Sequence, residues 1–319
     1  MRRLLFLPAA VIAVNIILVL VLFLFAEVSL RVYREGFRDG VEQLWHALKG
    51  VPYSNLGTGN WVIPDDTLGY RLNPHRPGIN HLSVRHADIT VPKPHDLYRV
   101  IVLGDSIPWD TPGFVTYLRD MLAGSDHFEI INAGIPGYTT YQEVLFFERY
   151  LSQTDPDLVI LTYCLNDNHK FLHRFDEKAH MLWTQEAMES LEAQSFVDKL
   201  VGRSYILSEI KIRFLATTAQ RRGKTCDFPW QCTYDFHIAW LDEPWDAFEQ
   251  HVRTLKSRVE GKNGRLAIVV FPYEPQLDQG ALAKDAAYVL KPQNRVSDVC
   301  MRHGLPCLAR PAGASRGTR

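Results

Sequence analysis

The sequence predicts an α/β protein: a parallel sheet with helices on both faces, preceded by a transmembrane helix. Three observations predict it. From Tyr98 onward, short β-branched apolar runs alternate with amphipathic stretches, the rhythm of βαβ units. Near the N-terminus an uncharged apolar stretch runs from Leu4 to Phe25, and a helix crosses a bilayer core in about 20 residues. The 319-residue chain is 46% hydrophobic and 22% charged, the balance of a folded protein.

The N-terminal stretch exceeds the apolar region of a cleaved leader, and no small-x-small site comes after Phe25. Residues 1–28 therefore read as an uncleaved signal anchor, meeting the membrane through residues 4–25. Arg2 and Arg3 precede the span and Arg31, Arg34 and Arg38 come after it, so the positive-inside rule barely orients it. An anchor at the extreme N-terminus exports the chain behind it, which places the domain in the periplasm or outside the cell. Residues 29–97 are rich in Pro, Gly, His and Asn with little periodicity, and read as a juxtamembrane arm.

The domain spans 98–308. "YRVIVL" from Tyr98 is a buried strand. "FVTYLRDML" from Phe114 is a helix with Phe114, Tyr117, Leu118, Met121 and Leu122 on one face. "FEII" from Phe128 is a second strand, and "TTYQEVLFFERYL" from Thr139 is helical. "DLVILTY" from Asp157 is a third strand. Residues 170–241 interrupt the rhythm as a helical insertion, with Leu207, Ile210 and Phe214 on one side. Pro244 then opens a helix in which Trp245, Phe248, Val252, Leu255 and Val259 recur at helical steps. "RLAIVVF" is a fourth strand, "PQNRVSDVCMRH" a helix closed by Gly304, and "LPCL" a fifth strand. Residues 309–319 form an irregular tail.

In parallel sheets the working site lies beyond the carboxyl ends of the strands. Three loops meet that condition: "GDS" after strand one, "NAGIPGY" after strand two and "CLNDN" after strand three. Ser106 offers a hydroxyl at a strand-to-helix turn. Gly137 offers an unobstructed N–H, and Asn166 a side-chain amide. A nucleophile with donors aimed at a developing oxyanion is the equipment of acyl transfer. Each residue also has a structural use: Ser106 as a helix cap, Gly137 in a turn, Asn166 closing a loop. It is their common edge and order that favours chemistry.

Lys plus Arg number 35 and Asp plus Glu 36, for a net charge of -1, and no basic excess points to nucleic acid. No metal-ligand spacing appears, and no cofactor is called for. Cys226 with Cys232, or Cys300 with Cys307, suit disulfides in an oxidising compartment. Cys300 and Cys307 equally suit small buried hydrophobes.

"GDSI", "NAGIPG" and "LND" resemble the first three sequence blocks of the SGNH hydrolases, also called GDSL esterases and lipases, over about Tyr98 to Leu308. The resemblance implies a flavodoxin-like three-layer α/β/α sandwich. It also implies Ser106 as nucleophile, Gly137 and Asn166 as oxyanion donors, and acyl esters of lipids, glycans or small molecules as substrates. "DDTLGYRLNP" looks like the lead-in of membrane-anchored bacterial members. The chain departs from the family at Cys164, where block three carries glycine, and at Asp110, near a position often held by glycine. The family's general base is the histidine of an Asp-x-x-His after the fifth strand. Here that stretch reads "CLARPAGASRGTR", the look of a shifted reading frame or a truncated gene model near Leu308. His169, His173, His237 and His303 carry no pattern that marks any of them as a substitute. The expectation is a serine ester hydrolase of impaired activity. The alternatives are a membrane-anchored binder of acylated glycan or lipid without turnover, and an acyl transferase to a polysaccharide.

Overall fold

The computed structural model describes residues 2–48, 61–125, 127–176, 181–184, 204–207, 210, 227–232 and 234–309. The chain divides into two compact units, residues 1–59 with 176–224, and residues 60–175 with 225–319.

In the first unit, helix α1 (Arg2–Glu35) is succeeded by α2 (Phe37–Leu48). Val11–Tyr33 is long and apolar enough to cross a membrane, with a mean hydropathy of 2.9. Its two charged side chains answer each other. Arg31 donates to Glu27 from Nε at 3.0 Å and Nη2 at 2.7 Å. Glu27 also accepts from the Ser204 hydroxyl at 2.9 Å and the Ile206 N–H at 3.1 Å. A buried charge is tolerated when it is paired and hydrogen-bonded in this way. Of the insertion's expected apolar side, Leu207 and Ile210 are exposed; Phe214 lies outside the described residues, as do Cys226 and the tail from Arg310.

The second unit begins with a hairpin, β1 (Val62–Asp65) and β2 (Gly69–Leu72), paired antiparallel. Then come β3 (Tyr98–Gly104), α3 (Ser106–Trp109), α4 (Phe114–Leu122), β4 (Phe128–Gly134), α5 (Thr140–Phe146) and β5 (Leu158–Tyr163). The short strand β6 (His173–Asp176) ends at the division between the units, and β7 (Met181–Thr184) falls in the first. The second unit resumes with the short helix α6 (Tyr234–His237). Its last elements are α7 (Pro244–Glu260), β8 (Arg265–Val270), α8 (Gln279–Val289), α9 (Lys291–His303) and β9 (Cys307–Leu308).

Strands β3, β4, β5, β8 and β9 form one parallel sheet in the spatial order β4-β3-β5-β8-β9. Numbered among themselves, these strands run 2-1-3-4-5, the flavodoxin order. Alternation along each strand loads both faces. Val100, Val102 and Ile130 pack with Val115, Phe114, Leu118 and Leu122 of α4, joined by Leu158 and Ile160. Ile101, Leu103, Val159 and Leu161 point the other way and are fully buried. Tyr163 on that side meets Trp245 and Phe248 of α7, and the five apolar positions that mark α7 in the sequence are all buried.

Several elements differ from the sequence reading. Strands β6 and β7 fall inside the stretch 170–241, expected to be helical, and the hairpin β1–β2 falls inside the expected arm. The stretch 139–151 begins as an α-helix but continues over Phe147–Leu151 with π geometry. Helix α8 has no counterpart in that reading: Asp285 breaks it internally, so no apolar stripe survives to be read. The segment expected as an arm is folded in from Trp61 on. Leu68, Tyr70, Leu72, Leu82 and Val84 are buried, and Gln142 donates to the Leu68 carbonyl at 2.7 Å. Its apolar residues fall in turns and short strands, so their burial leaves no period. Cys300 and Cys307 are free thiols that face one another.

Arg99 is fully buried in the first sheet strand. It pairs with Glu129 and donates to the Thr90 carbonyl at 3.0 Å and to the Thr154 carbonyl. Removing one partner of a buried pair strands the other. Arg99→Met is expected to cost about 3 kcal/mol or more in denaturant unfolding of the detergent-solubilised protein; a loss below about 1 kcal/mol contradicts this role.

Candidate active site

The strand order reverses around β3, and the loops after β3, β4 and β5 therefore open on one edge at the switch point. Gly104 ends β3 because nothing larger fits: a Cβ there would stand 1.8 Å from Thr162 Oγ1 and 2.7 Å from Pro108. The chain then turns into α3, and the turn separates the roles of its two polar residues. Asp105, not Ser106, is the helix cap: its carboxylate accepts the Ile107 N–H at 2.9 Å. Asp105 is 2% exposed, while Ser106 is exposed. The capping alternative for Ser106 is thereby removed. Asn132 holds the turn from β4, donating to the Pro108 carbonyl. Arg85 holds it from the folded-in segment, donating to the Trp109 carbonyl at 2.8 Å and lying over the Trp109 ring.

The second loop is a β-turn, Ile135–Pro136–Gly137–Tyr138, closed by the Tyr138 N–H on the Ile135 carbonyl at 3.0 Å. Proline second and a glycine third at φ +77° make it type II. Three successive carbonyls of this loop accept from three side chains. Tyr70 donates to Pro136 at 2.9 Å, His173 Nδ1 approaches Gly137 at 3.5 Å, and Asn166 Nδ2 approaches Tyr138 at 3.5 Å. A carbonyl only accepts, so the His173 contact requires the proton on Nδ1. The imidazole lies close enough on Gly137 that a Cβ there would come within 2.2 Å of Nδ1. Burial pushes the His173 pKa down, which keeps the ring neutral at pH 7.

The third loop sets Asn166, 4% exposed, between the Tyr138 carbonyl and the Asp105 carboxyl. Burial raises the Asp105 pKa, and the Ile107 N–H, the Asn166 amide and the Cys164 thiol each draw it partly back. Cys164 thus stands against Asp105, and burial together with the Asp105 charge keeps it a thiol. Asn166 Oδ1 has no partner among the described residues. The three sequence candidates therefore sit on adjacent, mutually bonded loops. Of these candidates, Ser106 is the exposed one. Tyr70, Asn132, Arg85 and His173, which hold these loops, escape the sequence reading as site residues. Asn132 lies inside "NAGIPG" and Tyr70 inside "DDTLGYRLNP", but neither segment marks these two residues as part of the site. His169 reaches the Asp235 carbonyl at 3.2 Å instead, and His303, at the end of α9, pairs with Glu249.

Two further carboxyls, Glu143 of α5 and Asp167 of the third loop, are both buried. Both Glu143 oxygens and Asp167 Oδ1 lack partners among the described residues. Burial first, then nearby carboxylate charge, raises both pKa values well above the ordinary range: Asp167 and Asp105 act on Glu143, and Asp105 acts on Asp167.

No family model matches the sequence, and no curated protein matches it. Solved structures do. The chain is similar to TesA at 13% identity, covering 69% of this chain and 84% of that one, with a TM-score of 0.37. An acetyl xylan esterase, AlAXEase, matches at 14% identity over 66% and 75% of the two chains, TM-score 0.37. AlinE4, an SGNH-hydrolase family esterase, matches at 12% identity over 70% and 83%, TM-score 0.36.

The raised carboxyls fix the sign of a pH effect. Ordinary values are 4.5 for Glu143 and 3.8 for Asp167. Above about pH 4 the folded protein therefore binds more protons than the unfolded chain, and stability falls as pH rises toward the folded pKa values. Glu143→Gln removes one of the two titrating carboxyls. Thermal unfolding from about pH 4.5 to about pH 8 is expected to show a shallower loss of stability in Glu143→Gln than in the unmutated protein. Parallel curves would contradict the assignment.

Proposed function

We propose that the chain is a membrane-anchored serine ester hydrolase of the SGNH type, acting on acyl esters of a lipid, glycan or small molecule. The observation that carries this reading is the division of labour at Gly-Asp-Ser. Asp105 is consumed by capping α3 and facing Asn166, while Ser106 is left exposed beside two loops that bear candidate donors.

In this reading the Ser106 hydroxyl adds to the ester carbonyl. Its proton leaves with the alcohol, and the oxygen that takes up the negative charge meets the Ser106 N–H, the Gly137 N–H and the Asn166 amide. Water then releases the acid from acyl-Ser106. Donors fixed before the reaction stabilise that charge without reorganisation. The apolar helix α1 would hold the domain at a bilayer surface, on the periplasmic or extracellular side.

A second reading has one observation in its favour. Among the described residues no histidine ring hydrogen-bonds the Ser106 hydroxyl, and a serine without an adjacent base is a weak nucleophile. A site of this kind would bind acylated glycan or lipid without turnover.

Hydrolysis of p-nitrophenyl acetate separates the two. The hydrolase reading expects turnover by the detergent-solubilised protein that is abolished in Ser106→Ala. It also expects about a 10²–10³-fold loss of kcat in Asn166→Ala, the usual effect of removing one oxyanion donor. Equal background rates in the unmutated protein and Ser106→Ala would leave the binding reading.

A further inference from the structure

The turn Ile135–Pro136–Gly137–Tyr138 has two accessible forms. Types I and II differ by rotating the central peptide, here Pro136–Gly137, by about 180°. Proline is accepted second in both, and glycine, having no Cβ, is accepted third in both. The local sequence therefore does not decide which way this peptide faces. The choice matters, because the peptide carries the Gly137 N–H. In a trans peptide the C=O and the N–H point in opposite directions, so whatever holds the Pro136 oxygen aims the Gly137 hydrogen.

The Pro136 oxygen is held by the Tyr70 hydroxyl, at 2.9 Å. The two other contacts to this loop are longer, at 3.5 Å, and bind the carbonyls of Gly137 and Tyr138, which belong to the next two peptides. Tyr70 itself is fully buried. Its ring packs edge-on against Tyr138 at 5.2 Å, and its own carbonyl accepts the Tyr138 hydroxyl. Among the described residues the Gly137 N–H, opposite Tyr70, has no backbone acceptor.

We propose that Tyr70 is a positioning residue: its hydrogen bond to the Pro136 carbonyl holds the Ile135–Tyr138 turn in the type II form and so keeps the Gly137 N–H aimed at the substrate oxyanion. This rests on the reading of Ser106, Gly137 and Asn166 as an ester-hydrolysis site. Burial and the nearby Asp105 charge raise the Tyr70 pKa, so the hydroxyl remains a donor throughout the working range. The proposal gives the folded-in segment a task at the reaction centre, since Tyr70 lies on β2 of the hairpin.

The test uses the full chain in detergent and Tyr70→Phe, which keeps the ring and deletes the donor. Tyr150→Phe is the control: it deletes another phenol bond to the same hairpin, to Asp65 at 2.5 Å, and that bond holds no carbonyl of the turn. On p-nitrophenyl acetate, Tyr70→Phe is expected to lower kcat about 10-fold or more with KM within about twofold, less than the loss from removing a donor outright. Tyr150→Phe should stay within about twofold of the unmutated protein. A crystal structure of Tyr70→Phe is expected to show the Pro136–Gly137 peptide rotated or in both orientations. If kcat is unchanged, or falls equally in Tyr150→Phe, the proposal is overturned. If the unmutated protein shows no Ser106-dependent hydrolysis, the ester-hydrolysis reading fails. The structure of Tyr70→Phe then decides the lock alone: a rotated peptide upholds it and a single unrotated orientation overturns it.

Discussion

The Asp105 carboxyl is the point on which the edge of the sheet is organised. It is almost wholly buried, yet it engages three groups from two loops: the Ile107 N–H that starts α3, the Asn166 amide and the Cys164 thiol. A buried carboxyl is costly unless its oxygens are engaged, so these contacts constrain one another. The loop after β5 must approach the turn after β3, and just before that loop, within β5, Thr162 packs against Gly104 only because the glycine carries no side chain. With Asp105 occupied, Ser106 has no structural duty. The same turn thus fixes one polar side chain and frees its neighbour.

A second layer of support comes from residues 61–97. Arg85 grips the end of α3 through the Trp109 carbonyl, and Tyr70 grips the turn after β4 through the Pro136 carbonyl. Loops at the edge of a sheet carry function but are the least rigid part of a fold. Here two of the three are braced by side chains from one preceding segment. A stretch that looks like a tether in composition is a scaffold in space.

The sheet is legible in the sequence because its strands and helices carry their own periodicity. Val100 and Val102 alternate with Ile101 and Leu103, and Trp245, Phe248, Val252, Leu255 and Val259 repeat at helical steps. The edge on which Ser106, Gly137 and Asn166 lie can be read from that rhythm alone. The hidden part depends on contacts between residues far apart in the chain. Tyr70 and Pro136 are 66 positions apart, and although Tyr70 lies inside the quoted segment "DDTLGYRLNP", nothing there ties its hydroxyl to the turn after β4. Helix α8 is hidden for the opposite reason: it is mostly exposed and broken at Asp285, so it has no apolar stripe. Glu143 reads as an ordinary helical glutamate, because burial without a partner leaves no trace in sequence.

The central claim is that the turn after β3 presents a nucleophile. The most direct measurement is mass spectrometry of the detergent-solubilised protein after treatment with an alkyl fluorophosphonate, which leaves its phosphonyl group on an activated serine and releases fluoride. The account predicts a single adduct, on the peptide that contains Ser106. An unmodified Ser106, or a phosphonyl group found on another serine, would contradict it.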